Sequence, residues 1–199
     1  MADRYWDVNL PGPAEGEEAA MVMAAVEQVG GRQLADWAVR LLSGRARPGD
    51  AGDPDIALIR GEAGTLDPEL ALDPHLPRML GARVLVHHWH PRASDAVLAG
   101  LTDESAAVRR TCCRVVAAHG TEGLMPAART VESLLSDPDP RVRSAAAQAL
   151  GEVGGESTAS ALQALLMDPD SVLASAAEDA LDRLAQRFAR PDLRAEPEY

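Results

Sequence analysis

Apolar residues recur at i, i+4, i+7 and i+8 in three stretches of the chain: Val108, Cys112, Val115 and Val116; Val142, Ala146, Ala149 and Leu150; Leu173, Ala177, Ala180 and Leu181. That spacing draws one stripe along an α-helix. When Asp103, Asp137 and Asp168 are aligned, the three stripes fall into register at a little over thirty residues, a period that belongs to helical repeats. The pattern predicts one buried helix face per copy.

Each copy also carries signals for its ends. Ser105, Asp139 and Asp170 stand just before the first turn, where a side-chain oxygen can accept from unpaired backbone N–H groups. Pro140 sits at the first helical position, where its missing N–H costs nothing. Gly120 and Gly154 lie where a left-handed residue is expected to close the helix. A second amphipathic segment follows each glycine, over Leu124–Leu135 and Thr158–Leu166, with Val131, Leu134 and Leu135 matching Leu162, Leu165 and Leu166. The unit is therefore helix, turn, helix. One such pair cannot cover both of its apolar faces, so pairs must stack into a solenoid.

Upstream, "DPHLPRMLGARVLVHHWH" is a degenerate copy, with Asp73 in the Asp slot, Ala82 in the small slot and Leu85 and Val86 as the apolar pair. Its second helix is expected over Ala93–Leu101. Two further helices, Glu17–Val29 and Arg32–Leu42, are split by Gly30 and Gly31 and look like an atypical capping pair. Ser43–Pro54 is a loop by composition. The resulting division is residues 1–54 as capping helices and loop, 55–187 as the repeat array, and 188–199 as a polar tail expected to fray.

Composition narrows the chemistry. With few aromatics, the core of this 199-residue chain must be Ala, Leu and Val, a mixture that favours closely approaching helices. The formal charge of −12 argues against a nucleic-acid partner, which would need Lys and Arg against phosphates. The chain contains no Lys, which removes P-loop, Schiff-base and kinase mechanisms together. Its amino terminus lacks the basic start and apolar stretch of a secretory signal, and no later run is long enough to span a bilayer. A cytoplasmic protein without membrane attachment is expected. Cys112 and Cys113, the only cysteines, point about 100° apart on a helix and offer no disulfide.

The stretch "DPDPRVRSAAAQALG" resembles the HEAT-repeat family, and more narrowly the short bacterial HEAT-like repeat first associated with phycobilisome lyases. The match is close over Asp137–Leu166, good over Asp103–Leu135 and partial over Asp73–Leu101 and Asp168–Leu184. The resemblance implies an all-α, right-handed α-α superhelix of about four to five helical hairpins. It also implies a structural ladder of ion pairs along the stack, carried here by Asp103 with Arg109 and Asp137 with Arg143. The last copy departs, with Ala174 in the Arg slot.

In such arrays the second helices line the concave side, where partners dock. Facing away from the apolar stripe there are Arg129, Glu132 and Ser133, with Ser160 and Gln163 below and Asp95 and Leu98 above. These are the candidate contacts for a protein or peptide partner, with the chain acting as adaptor, scaffold or inhibitor. The alternative is a lyase-like or chaperone-like protein that holds a small prosthetic group or metal.

No cofactor is expected, and no catalytic residue is assigned. His87, His90 and His119 are weak metal candidates, since His87 and His90 could share a face at i, i+3, but they stand at a helix end, where His also complements the dipole. The adjacent His-Glu pairs of HEAT-like di-iron hydroxylases are absent, as are the basic channel and aromatics of alkylpurine glycosylases. Cys112 falls in the buried small slot, whereas Cys113 is expected to be partly exposed. No G-x-S-x-G arrangement orients the Ser, His and Asp residues.

Overall fold

The computed structural model describes residues 15–60 and 73–194, which are helical, without a strand among them. The readings made for residues 1–14 and for the last five residues of the tail lie outside the described residues. The chain divides into two compact units, Met1–His90 and Pro91–Tyr199.

In the first unit, α1 (Glu15–Val29), α2 (Gly31–Leu42), the single turn α3 (Ala57–Arg60) and α4 (His75–His87) surround Trp37, Leu34, Leu41, Ile59, Leu80 and Leu85, all fully buried. Helix α2 packs mainly on α4, and α1 covers α2, α3 and α4. The α2–α4 crossing is close because position 81 is glycine: a Cβ there would stand 2.6 Å from the Ala38 carbonyl oxygen and 2.8 Å from the Leu42 nitrogen. Arg83 and Glu18 are nonetheless buried, at 7% and 8% exposure. Arg83 donates to the Ile59 carbonyl, its Nη1 lies 3.9 Å from Glu18 Oε1, and His87 Nε2 lies 3.4 Å from Glu18 Oε2. One polar knot therefore ties α1, α3 and α4 together, and it satisfies groups that burial would otherwise penalise.

The second unit holds α5 (Ser94–Gly100), α6 (Ala106–His119), α7 (Ala128–Ser133), α8 (Pro140–Val153), α9 (Ala159–Gln163) and α10 (Ser171–Phe188). The long helices α6, α8 and α10 pack one on the next, and each short helix, α5, α7 and α9, lies against the long helix that follows it. Val108, Val142 and Leu173 are fully buried, and so are the three residues in every other slot of the stripe. The repeat reading of the sequence thus holds at each slot of the long-helix stripe, whereas Val86 in the degenerate copy and Leu135, Leu165 and Leu166 in the second segments are only half-buried. The second helices are shorter than their apolar pattern, because 3-10 turns at Met125–Ala127, Leu134–Ser136 and Glu156–Thr158 take up their ends.

The four aligned aspartates fold the same turn. Asp73, Asp103, Asp137 and Asp168 accept from the backbone N–H two residues on, that of His75, Ser105, Asp139 and Asp170, at 2.8, 2.8, 2.9 and 2.9 Å. Asp139 and Asp170 then cap α8 and α10 through their side chains, whereas Ser105 makes no side-chain cap.

The closing glycines act differently from the expectation. Gly120 is right-handed, with φ −50°, and Gly154 is extended, with φ −64° and ψ 151°. Their need is for space, since a Cβ at Gly120 would meet Val153 Cγ1 at 2.6 Å and one at Gly154 the Leu150 carbonyl oxygen at 2.4 Å. The left-handed residue after α6 is Gly123, at φ 113°.

At the far end of the row, small buried residues give way to charge. Cys113 and Ala147 are buried in one slot and Gly151 in another; in α10 these slots hold Glu178 and Asp182, both exposed. The chain then turns through Pro191–Leu193, where Leu193 packs back at 9% exposure.

Candidate functional site

Three short helices in succession present matched side chains to solvent. Asp95, Arg129 and Ser160 share one slot and are exposed; Leu98, Glu132 and Gln163 share the next, where Leu98 is half-buried and the other two are exposed. Ser133 is also exposed. These positions face outward because Val97, Val131 and Leu162, on the opposite side of the same helices, are fully buried. Serine hydroxyls fold back on the chain: Ser133 Oγ donates to the Thr130 carbonyl at 2.7 Å and Ser160 Oγ to the Ser157 carbonyl at 3.3 Å. Asp95, Arg129 and Glu132 form no side-chain hydrogen bond or ion pair with other described residues. Their charges are held by the scaffold and left to water.

The ladder residues are engaged internally. Arg109 donates from Nε to Asp137 Oδ2 at 2.7 Å and from Nη2 to Asp137 Oδ1 at 2.9 Å. Its Nη1 donates to the carbonyls of Asp103 at 2.9 Å and Glu104 at 3.0 Å. The ion pair therefore runs from one repeat to the next, and the contact between Arg109 and Asp103 within a repeat is to main chain. Hydrogen bonding to Asp137 raises the Arg109 pKa against the opposing effect of burial. Arg143 repeats the main-chain half, with Nη1 3.0 Å from the Asp137 carbonyl and 3.4 Å from that of Pro138. Among the described residues it forms no ion pair with Asp168.

The histidines are dispersed among separate partners. His87 lies beside Glu18, His88 Nε2 is 2.9 Å from the Gly31 carbonyl, and His119 Nδ1 is 3.2 Å from Glu122 Oε1. His90 is half-buried next to α4. Among the described residues no three metal-ligating side chains converge.

Both cysteines are fully buried, Cys113 included, in the slot where the next repeat buries Ala147. Burial pushes the Cys112 thiol well up and the Cys113 thiol up to about 12. Neither is a nucleophile near neutral pH.

Residues 94–182 match the family model of HEAT repeats. Over this segment the chain is similar to HEAT repeats. The segment lies wholly within the second compact unit, starts at the first residue of α5 and ends inside α10. Among solved structures, the crystal structure of an engineered protein is similar at 19% identity and a TM-score of 0.45, covering 85% of this chain and 79% of that one. No curated protein matches the chain. HEAT repeats are in general protein-interaction modules. No described helix is long and apolar enough to cross a membrane.

Sequence reasoning located the outward-facing slots but not the uncommitted state of Asp95, Arg129 and Glu132. That state depends on which acids and bases the stack brings within reach. It also missed the register of the Arg109 pair, because a residue twenty-eight positions away is a neighbour only once the repeats are stacked.

Proposed function

We propose that the HEAT-like array is a binding module for a protein or peptide partner, working in the cytoplasm as an adaptor, scaffold or inhibitor. The contact face consists of Asp95, Leu98, Arg129, Glu132, Ser133, Ser160 and Gln163. The observation that carries the reading is the row of exposed, uncommitted Asp95, Arg129 and Glu132 on consecutive short helices whose other sides are fully buried. The backbone that carries these side chains is fixed at repeat spacing, so binding has to order only their rotamers, and isolated charges on a rigid backing select a partner by complementarity.

Photo-crosslinking residues placed one at a time at positions 95, 129, 132 and 163, with position 141 as an exposed control on a long helix, test this in cells. Discrete adducts of one mass are expected from the four second-helix positions and not from the control. Equal labelling from all five, or adducts from none, rejects the assignment.

A further inference from the structure

At the third repeat the turn that opens the long helix differs from its two predecessors at two flanking side chains, and from the second repeat in what reaches its aspartate. The residue before the aligned aspartate is Thr102, then Ser136, then Met167, and Met167 is 80% exposed. The residue four positions after it is Ala107, then Arg141, then Val172, and Val172 is 65% exposed. Asp137 receives the forked Arg109 guanidinium, but among the described residues no guanidinium reaches the Asp168 carboxylate: Arg143 stops at main-chain carbonyls, and Ala174 replaces the arginine of the repeat itself.

One exposed apolar side chain is ordinary. Two of them flanking a carboxylate that lacks the arginine found on Asp137 form a different kind of surface. The turn is well built: Asp168 Oδ1 accepts from the Asp170 N–H at 2.9 Å, and Asp170 Oδ1 accepts from Val172 N–H at 3.0 Å. That leaves Asp168 Oδ2 without a bond to another described residue. From Ala164 to Asp182 the chain carries Asp168, Asp170, Glu178, Asp179 and Asp182 and no basic residue, and of these Asp182 pairs with Arg194 Nε at 3.5 Å. A ligand for this rim must then be cationic and apolar at once.

We infer that the Asp168 turn is a docking point for a partner segment that carries an arginine beside aliphatic side chains, the arginine pairing with Asp168 as Arg109 pairs with Asp137 and the aliphatics covering Met167 and Val172. The protein supplies its own template for the polar half, a guanidinium forked onto an aspartate whose other face is occupied by the Asx turn. A planar fork matches a carboxylate in a way that an ammonium does not, so arginine is selected over lysine. The inference deepens the reading of the array as a protein-binding module, and it places a second contact off the second-helix face.

The test uses the full chain and a phage-displayed library of random dodecapeptides. Selected peptides are expected to carry arginine within a few residues of Leu, Ile or Val. Their affinity should fall at least tenfold on Asp168→Asn, which keeps the Asx-turn acceptor, and on the pair Met167→Ser/Val172→Ser. It should fall similarly when the peptide arginine is replaced by citrulline, and stay within twofold on Gln186→Ala, an exposed position near the end of α10 that belongs to neither contact face. Circular dichroism confirms that each variant is folded. Enrichment of peptides without basic residues, affinity indifferent to both rim variants, or no enrichment overturns the rim. If the peptides respond to Arg129→Ala/Glu132→Ala instead, the second-helix face stands and the rim falls; if crosslinking at that face fails while the rim variants lose binding, the reverse holds.

Discussion

Arg109 of one repeat grips Asp137 of the next through two bonds, at 2.7 and 2.9 Å, while its remaining donors hold the carbonyls of Asp103 and Glu104. One side chain thereby fixes the turn of its own repeat and the position of the following one. The Asp137 side chain is only 4% exposed and that of Arg109 14%.

Because this pair is nearly dry, removing one partner is worse than removing both. Arg109→Ala leaves a buried carboxylate unpaired and should lower unfolding free energy by about 3 kcal/mol. Arg109→Met with Asp137→Asn should cost clearly less, since no charge is stranded and the Asx-turn acceptor is kept. Arg143→Ala breaks only contacts to carbonyls and should cost about 1 kcal/mol. Urea denaturation of the three variants checks the order; an Arg143→Ala loss as large as that of Arg109→Ala would contradict the inter-repeat pairing.

Asp139 makes a second claim, this one dependent on pH. Burial alone would raise its carboxyl, but the Arg141 side chain and the Arg141 and Val142 backbone N–H groups outweigh it and hold the pKa below the ordinary 3.8. A depressed folded pKa contributes stability above the unfolded value and loses it as pH falls through the folded one. Asp139→Ala should therefore cost about 1 kcal/mol near neutrality, the usual worth of a helix cap. The gap from the parent should narrow below pH 4 and close in stronger acid. Thermal melts of both proteins from pH 7 to pH 2 provide the measurement.

The cysteines report on opening of the stack. With Cys113 pushed up to about 12 and Cys112 raised well above its ordinary value, both thiols stay protonated and enclosed at pH 8. Iodoacetamide should leave the folded protein unmodified over hours and label both residues within minutes in denaturant, where thiols return to about 8.5. The slow native labelling should accelerate in Arg109→Ala, whose pair lies beside Cys113. Rapid labelling of the native parent would show that the interface between α6 and α8 is open.

These three tests divide along what the sequence could and could not reveal. The stripe through Val108, Val142 and Leu173 is legible because burial follows a period set by the helix itself, and the aspartate turns are legible because their partners are two residues away. Gly120 and Gly154 were misread: a glycine needed for a left-handed turn and one needed for a close contact look identical in one dimension, and only Val153 and Leu150 tell them apart. Cys113 was misread for a related reason, since its exposure depends on the next repeat. The Glu18, Arg83 and His87 knot in the first unit joins residues 69 positions apart and carried no local signal. For the candidate site, the slots were readable and their freedom from partners was not.

Ala189 gives the last test, at the end of α10. It is the only described non-glycine residue with positive φ, at 52°, and it closes the helix in the left-handed conformation, with Arg190 N–H bonded back to the Ala185 carbonyl at 2.9 Å. An L-residue there suffers contact between its Cβ and the following carbonyl, at about 1–2 kcal/mol, which glycine escapes. Glycine's greater freedom in the unfolded chain offsets part of this, by about 0.5–1 kcal/mol. Ala189→Gly should consequently stabilise the second unit by about 0.5–1 kcal/mol, the difference between those two terms, without touching the stripe or the binding face. A midpoint shift upward in urea with an unchanged slope is the expected result. Ala189→Val, with a branched side chain in the same conformation, should shift it downward, and a rise for both variants would mean that α10 ends in some other way.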